Sequence, residues 1–218
     1  MGNPRHKQRP LDSPRRRPNT RQPCVRPRII GGAYRGRRLF YDGNPRIRPM
    51  KDRIREAVFD ILGSAVEGTY VLDLFAGTGA LGLEALSRGA AQAVFIEVYR
   101  PAAELVRQNI ALLGVQNKAR VKEGDVFKIV GFTPAALFGA AQDQISPWLV
   151  FCSPPYEFYV KRCSEMLSLI STLVQRAPKE SIFVVEADMR FDFRQLPKPD
   201  AWNARTYRPA RIGIFHKP

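Results

Sequence analysis

The sequence predicts an α/β fold, a seven-stranded and mostly parallel sheet with helices on both faces. Two observations predict it. From residue 70 onward, apolar runs of strand length alternate with stretches of helical periodicity. Such alternation builds parallel sheets covered on both sides. Between the first run and the first of those helices stands Gly77-Thr78-Gly79-Ala80-Leu81-Gly82, a turn that lets a ligand approach the backbone beyond the strand ends.

Taken in order, residues 1–27 are predicted to be a disordered basic arm. They carry Pro4, Pro10, Pro14, Pro18, Pro23 and Pro27 among arginines, which denies a helix and offers no apolar face. Residues 28–218 form one domain, with an N-terminal hairpin over 28–48 and a core over 49–218. Two β-prone runs around glycines predict that hairpin, with Arg35, Arg37 and Arg38 at its turn and Tyr34 available for stacking. In residues 49–62, Ile54, Ala57, Val58, Ile61 and Leu62 fall on one helical face, while Lys51, Arg53 and Arg55 fall largely off it. Strands follow at 70–74, 93–98 and, more weakly, 120–123, with helices at 79–88 and 101–113 closed by Gly89 and Gly114. Residues 126–146 carry no single pattern. A strand at 148–152, one helix at 159–175, a strand at 181–186 and a final hairpin within 202–216 complete the sheet.

Composition narrows the function. The chain has 218 residues, 44% of them hydrophobic, enough for a real core. No apolar run approaches the roughly 20 residues of a membrane span, and no apolar stretch follows the basic N-terminus as a secretory signal requires. Cys24, Cys152 and Cys163 are an odd number without metal-type pairing, so a reducing cytoplasm is expected. Cys152 reads as core and Cys163 as packing. His6 and His216 stand far apart in the sequence, which argues against a His-based triad or a metal site. The charge is concentrated: of 35 Lys and Arg and 20 Asp and Glu, residues 1–55 hold 17 basic and three acidic ones. Most are arginines, whose planar fork suits phosphate oxygens. A nucleic-acid partner is expected, bound with strong salt dependence.

The glycine stretch alone fits either a dinucleotide or S-adenosylmethionine (SAM). Two details favour SAM over NAD. Asp73 ends the strand before the glycines, where a carboxylate suits a cationic ligand better than a pyrophosphate. The first glycine also comes four residues after it, too late for a phosphate at the strand end. Glu97 and Asp125 lie at the next two strand ends, placed for a ribose and an adenine amino group. Ser153-Pro154-Pro155-Tyr156 follows the fourth strand. Its prolines lack N–H groups and leave carbonyl acceptors, which suits the holding of an exocyclic amine, and Tyr156 suits stacking on a base.

These residues resemble the bacterial RsmD-type methyltransferases, which methylate N2 of a guanine in small-subunit (16S) rRNA. The likeness is carried by Arg28-Ile-Ile-Gly-Gly-Ala-Tyr-Arg-Gly-Arg-Arg-Leu39, by Arg48-Pro-Met-Lys-Asp-Arg-Ile-Arg-Glu-Ala-Val-Phe59, by residues 72–89 and by the Pro-Pro-Tyr segment. It implies a class I SAM-methyltransferase (Rossmann-like) domain. Asp73, Ala76, Gly77 and Gly79 would line the methionine end of SAM, with Glu97 on the ribose and Asp125 on the adenine. Arg28, Tyr34, Arg35, Arg37 and Arg38 would meet RNA, Arg48, Met50 and Arg53 would close over the methionine end or meet RNA, and Ser153, Pro154, Pro155 and Tyr156 would hold the target base. The implied partner is small-subunit rRNA or an assembling 30S particle, met by a monomer with no membrane contact. Two positions depart from the family pattern: Met50 stands where Thr is usual, and Ser153 where Asp or Asn is usual. A serine is shorter and neutral, a loss of roughly 1–2 kcal/mol in the reacting state. That departure keeps a second expectation open, a non-catalytic RNA-binding assembly factor with a retained SAM fold. A DNA amino-methyltransferase would share the motif chemistry, but nothing in the basic segments points to DNA. Glu186 and Asp188 end the fifth strand and read mainly as caps.

Overall fold

The computed structural model describes residues 26–129, 137–138 and 146–218. All but the last two residues of the arm lie outside these, as do Cys24, His6 and most of the patternless stretch 126–146. Seven strands form one sheet in the order β3-β2-β1-β4-β5-β7-β6. They are β1 (Tyr70–Asp73), β2 (Gln92–Glu97), β3 (Ala119–Glu123), β4 (Trp148–Cys152), β5 (Ile182–Asp188), β6 (Asn203–Tyr207) and β7 (Ala210–His216). The first five pair in parallel, and β7 runs antiparallel to both neighbours. The predicted sheet and its closing hairpin are both present.

The helices are α1 (Asp52–Leu62), α2 (Ala80–Ser87), α3 (Arg100–Leu113), α4 (Phe158–Lys161) and α5 (Cys163–Arg176). Alternation along each strand sorts the core into two layers. Val71, Phe95, Phe151 and Val184 face α1, α2 and α3, whereas Leu72, Val94, Val150 and Val185 face α5. Gly82 makes the first layer possible: a Cβ there would come within 2.4 Å of the Phe95 ring, so only glycine lets α2 lie this close to β2.

Three expectations need correction. The helix expected at 159–175 is two, because Arg162 leaves helical geometry at φ −131°, ψ 32°. The N-terminal hairpin is present but shorter and less regular than the expected 28–48, with Arg28 bridged to Arg38 around a short turn at Gly32–Tyr34. The two runs pair through Ile29 N–H to the Arg37 carbonyl, Leu39 N–H to the Pro27 carbonyl and Gly36 N–H to the Ile29 carbonyl, each at 2.8 Å, and side chains of the core hold the backbone on either side. Ile30 and Gly31 donate to Glu84 at 2.7 and 2.8 Å, Tyr34 donates to Ser87 Oγ, and Phe40 donates to Asn109 Oδ1. Third, Arg55 is fully buried. Its guanidinium donates to the Arg28 carbonyl and to Asp52, and its Nε lies 3.8 Å from Glu84.

Candidate active site

The sheet order reverses between β1 and β4, and the carboxyl ends of the strands there form a natural ligand crevice. Read across the sheet, that edge presents Asp125 just past β3, Glu97 on β2, Asp73 on β1, Ser153 just past β4 and Glu186 on β5. The residues picked from sequence are thus brought together, and Glu186 joins them.

Asp73 is 1% exposed, and the one hydrogen bond its carboxylate receives among the described residues comes from Gly82 N–H at 3.1 Å. No lysine or arginine of the described residues pairs with it. Burial pushes its carboxyl up to about 7, with the Glu97 charge adding to the shift and the Gly82 bond opposing it. Glu97 is half-buried and holds the glycine turn: its two oxygens accept from Gly77 N–H and Tyr99 N–H, both at 2.8 Å. Each oxygen retains capacity for a further donor. Gly77 and Gly79 take φ of +55° and +77°, the region that favours glycine, and Gly79 caps the start of α2. Asp125 accepts from Phe127 N–H at 3.1 Å and faces Arg162 at 3.4 Å. Arg162 in turn lies 3.9 Å over the Phe127 ring. Neither Arg162 nor Phe127 was picked from sequence, and neither carried a signal there.

On the other side of the reversal, Pro154 is buried and Pro155 exposed. Tyr156 is half-buried and its hydroxyl donates to Glu186 Oε1 at 2.8 Å. Burial pushes the Tyr156 hydroxyl up, as does the neighbouring Glu186, while Arg48 pulls it back, which places Arg48 near this side of the site. Ser153 Oγ is buried without hydrogen-bond geometry to any described protein group. Burial raises the Glu186 carboxyl, while Tyr156 and the nearby Ser153 hydroxyl hold the rise back. Cys152 is core, as expected, its thiol pushed up to about 12 by burial.

The basic residues divide. Arg35, Arg37, Arg38, Arg48 and Arg53 are exposed, and Arg28 is exposed while paired with Asp52 at 3.1 Å. Tyr34 packs partly against the core, so the exposed ring of this segment is Phe40. Ile47 is buried and would lie 3.4 Å from a Cβ at Gly77, which sets residues 41–50 beside the glycine turn. Among the described residues no cluster of His, Cys, Asp and Glu could hold a metal, and no helix is long and apolar enough to cross a membrane. His216 pairs with Ile182 at the opposite edge of the sheet.

An adenosyl sulfonium fits these residues. A buried carboxylate without a cation is costly, and a cationic ligand at Asp73 relieves that cost. Glu97 has acceptor capacity for two hydroxyls, and the glycine turn leaves the backbone open to approach.

The family described as Conserved hypothetical protein 95 matches residues 27–213. The Ribosomal RNA small subunit methyltransferase D of Escherichia coli is 40% identical over 129 residues, covering 59% of this chain and 60% of that protein. The matched stretch thus spans under two thirds of that relative. The protein of the same name from Haemophilus influenzae is 31% identical over 178 residues, 80% of this chain and 84% of the relative. Among solved structures, the E. coli protein yhhF superposes with a TM-score of 0.70 at 28% identity, covering 88% of this chain and 98% of its own. The Thermus thermophilus 16S rRNA N2 G1207 methyltransferase (RsmC), solved with AdoMet and guanosine, superposes at 0.64 with 19% identity, over 89% of this chain and 50% of its own, a likeness of fold. Fold, site and matched segments agree: the chain belongs to the RsmD-type methyltransferase family.

Proposed function

We propose that this protein is a SAM-dependent methyltransferase acting on the exocyclic N2 amine of a guanine in small-subunit rRNA, as a monomer in the cytoplasm. The observation that carries the reading is Asp73, a buried carboxylate with no cation of its own among the described residues, set one strand away from the Pro-Pro-Tyr segment. In this reading Asp73 takes the cationic methionine end of SAM, Ala76, Gly77 and Gly79 shape the turn around it, Glu97 takes the ribose hydroxyls and Asp125 the adenine amino group. SAM supplies an electrophilic methyl group. The protein's own task is placement: the Pro154 carbonyl accepts from the amine, and Tyr156 stacks on the base with its hydroxyl fixed by Glu186. Positioning of this kind accounts for much of the rate when the donor is already activated. The base must leave its stack to reach the pocket. Arg28, Arg35, Arg37, Arg38, Arg48 and Arg53 would hold phosphates, which orient the RNA without specifying its sequence.

The test is methyl transfer from tritiated SAM to small-subunit rRNA and to partly assembled 30S particles, with nucleoside analysis. N2-methylguanosine is the expected product, and a different methylated nucleoside would remove the guanine-N2 assignment. A second reading rests on Ser153, whose buried Oγ is outside hydrogen-bond geometry to the described residues: an assembly factor that binds SAM and RNA without turnover. Tight SAM binding with no transfer to either substrate favours that reading.

A further inference from the structure

Glu186 holds the Tyr156 hydroxyl through one oxygen, which leaves its second oxygen without an assigned role. The register of β4 on β5 pairs Phe151 with Val184 and Cys152 with Val185, so Ser153 and Glu186 come opposite each other one step further on. Phe151 and Val184 both face the layer of α1, α2 and α3. By strand alternation Ser153 and Glu186 leave the sheet on that side too, as does Asp73, two residues beyond Val71. The target amine must lie beside the Pro-Pro segment, which Asp73 flanks on one side and Glu186 on the other. Tyr156 Oη holds Oε1 of Glu186 at 2.8 Å, and no lysine or arginine of the described residues forms an ion pair with the carboxylate. Ser153, where the family pattern has a carboxylate or amide, is beside it, its hydroxyl near enough to hold back the rise of the Glu186 carboxyl but outside hydrogen-bond geometry to the described residues.

We propose that Glu186 supplies the acceptor that Ser153 is too short to supply: its carboxylate takes one N–H of the substrate amine and receives the proton that the nitrogen sheds on methylation. The inference rests on the methyltransferase reading above. In the step, the nitrogen lone pair forms the new N–C bond while the S–C bond breaks and sulfur keeps that electron pair. The positive charge moves to nitrogen, and transfer of one N–H proton to Glu186 restores a neutral amine. The acid then returns the proton to solvent. Burial strengthens Glu186 as a base by raising its carboxyl above the ordinary glutamate value of 4.5. The groups around it are Tyr156 and Ser153 from the motif and Tyr159 and Cys152 behind them. Asp188 on its own strand and Arg48 from the segment before α1 act on Tyr156.

The competing role for Glu186 is to orient Tyr156 and nothing more. Glu186→Gln separates the two, because the amide oxygen still accepts from Tyr156 Oη but takes no proton. Single-turnover methyl transfer to small-subunit rRNA is measured at saturating SAM and RNA across pH, with SAM and RNA affinities measured separately. The wild type should lose activity below a midpoint above the ordinary glutamate value, since the protonated acid accepts nothing. Glu186→Gln should lower the rate about 100-fold, lose that acidic limb and keep both affinities. Adding Ser153→Asp to Glu186→Gln should restore at least about tenfold, half of that loss on a logarithmic scale. A Glu186→Gln protein with the wild-type rate and limb overturns the inference, as does one whose rate falls only in step with RNA affinity. A wild-type profile without an acidic limb overturns it without any variant. Absence of transfer by the wild type overturns the methyltransferase reading, and this inference with it.

Discussion

Glu84 and Asp73 are the two buried carboxylates among the described residues, and they live in opposite surroundings. Glu84 on α2 is met by Arg88 Nε at 2.8 Å, Arg55 Nε at 3.8 Å, and the backbone N–H groups of Ile30 and Gly31. It rivets residues 28–31 to the core. Asp73, at the end of the strand that leads into α2, receives one N–H and no cation among the described residues. Burial of a charge therefore does not by itself mark a ligand site. A buried charge whose partners are all present is architecture, and one whose counter-ion is missing is where a ligand belongs.

Breaking the rivet should have the largest effect on the fold. Glu84→Ala leaves Arg55 buried without its Glu84 partner and should cost about 3–5 kcal/mol in denaturant unfolding. Residues 28–41 should then become open to proteolysis. At the other carboxylate the signs divide. Asp73→Asn keeps an acceptor for Gly82 N–H but removes the charge, so SAM affinity by calorimetry should fall about 100-fold, or about 3 kcal/mol. Ligand-free stability should move the other way. The folded carboxyl is raised from 3.8 to about 7, so its favourable contribution is complete below 3.8 and is lost as pH rises through about 7. Above that window ligand-free Asp73→Asn should be more stable than the wild type by about 2–4 kcal/mol.

Smaller effects sharpen the contrast between packing and site. Gly82→Ala drives a methyl into the Phe95 ring and should cost about 1–3 kcal/mol in thermal unfolding. Replacing Arg35, Arg37 and Arg38 together by Ala should leave stability within about 0.5 kcal/mol. It should weaken RNA binding and flatten the logarithmic salt dependence by about 0.7–0.9 for each phosphate that is no longer neutralised.

The sequence made the strands and most helices legible, because periodicity is a local signal and the parallel core strands are almost uninterrupted apolar runs. It also made Asp73, Glu97 and the Pro-Pro-Tyr segment legible, since each closes a strand. What it hid was set by partners distant in the chain. Arg55 read as lying largely off the buried stripe because apolar periodicity does not register a buried ion pair with Glu84, two elements further along. The N-terminal segment read as a longer, regular hairpin because its β-prone residues gave no sign that Glu84, Ser87 and Asn109 would take the backbone bonds of Ile30, Gly31, Tyr34 and Phe40. Glu186 read as a cap because its neighbours Ser153 and Tyr156 are brought to it by the register of β4 on β5.

The most direct test of Asp73 as the partner of a cationic ligand is a calorimetric titration of SAM into the wild type and Asp73→Asn, across the window in which Asp73 ionises. Wild-type affinity should strengthen as pH rises through about 7, and Asp73→Asn should bind weakly without that dependence. Equal affinity in the two proteins at every pH would contradict the assignment.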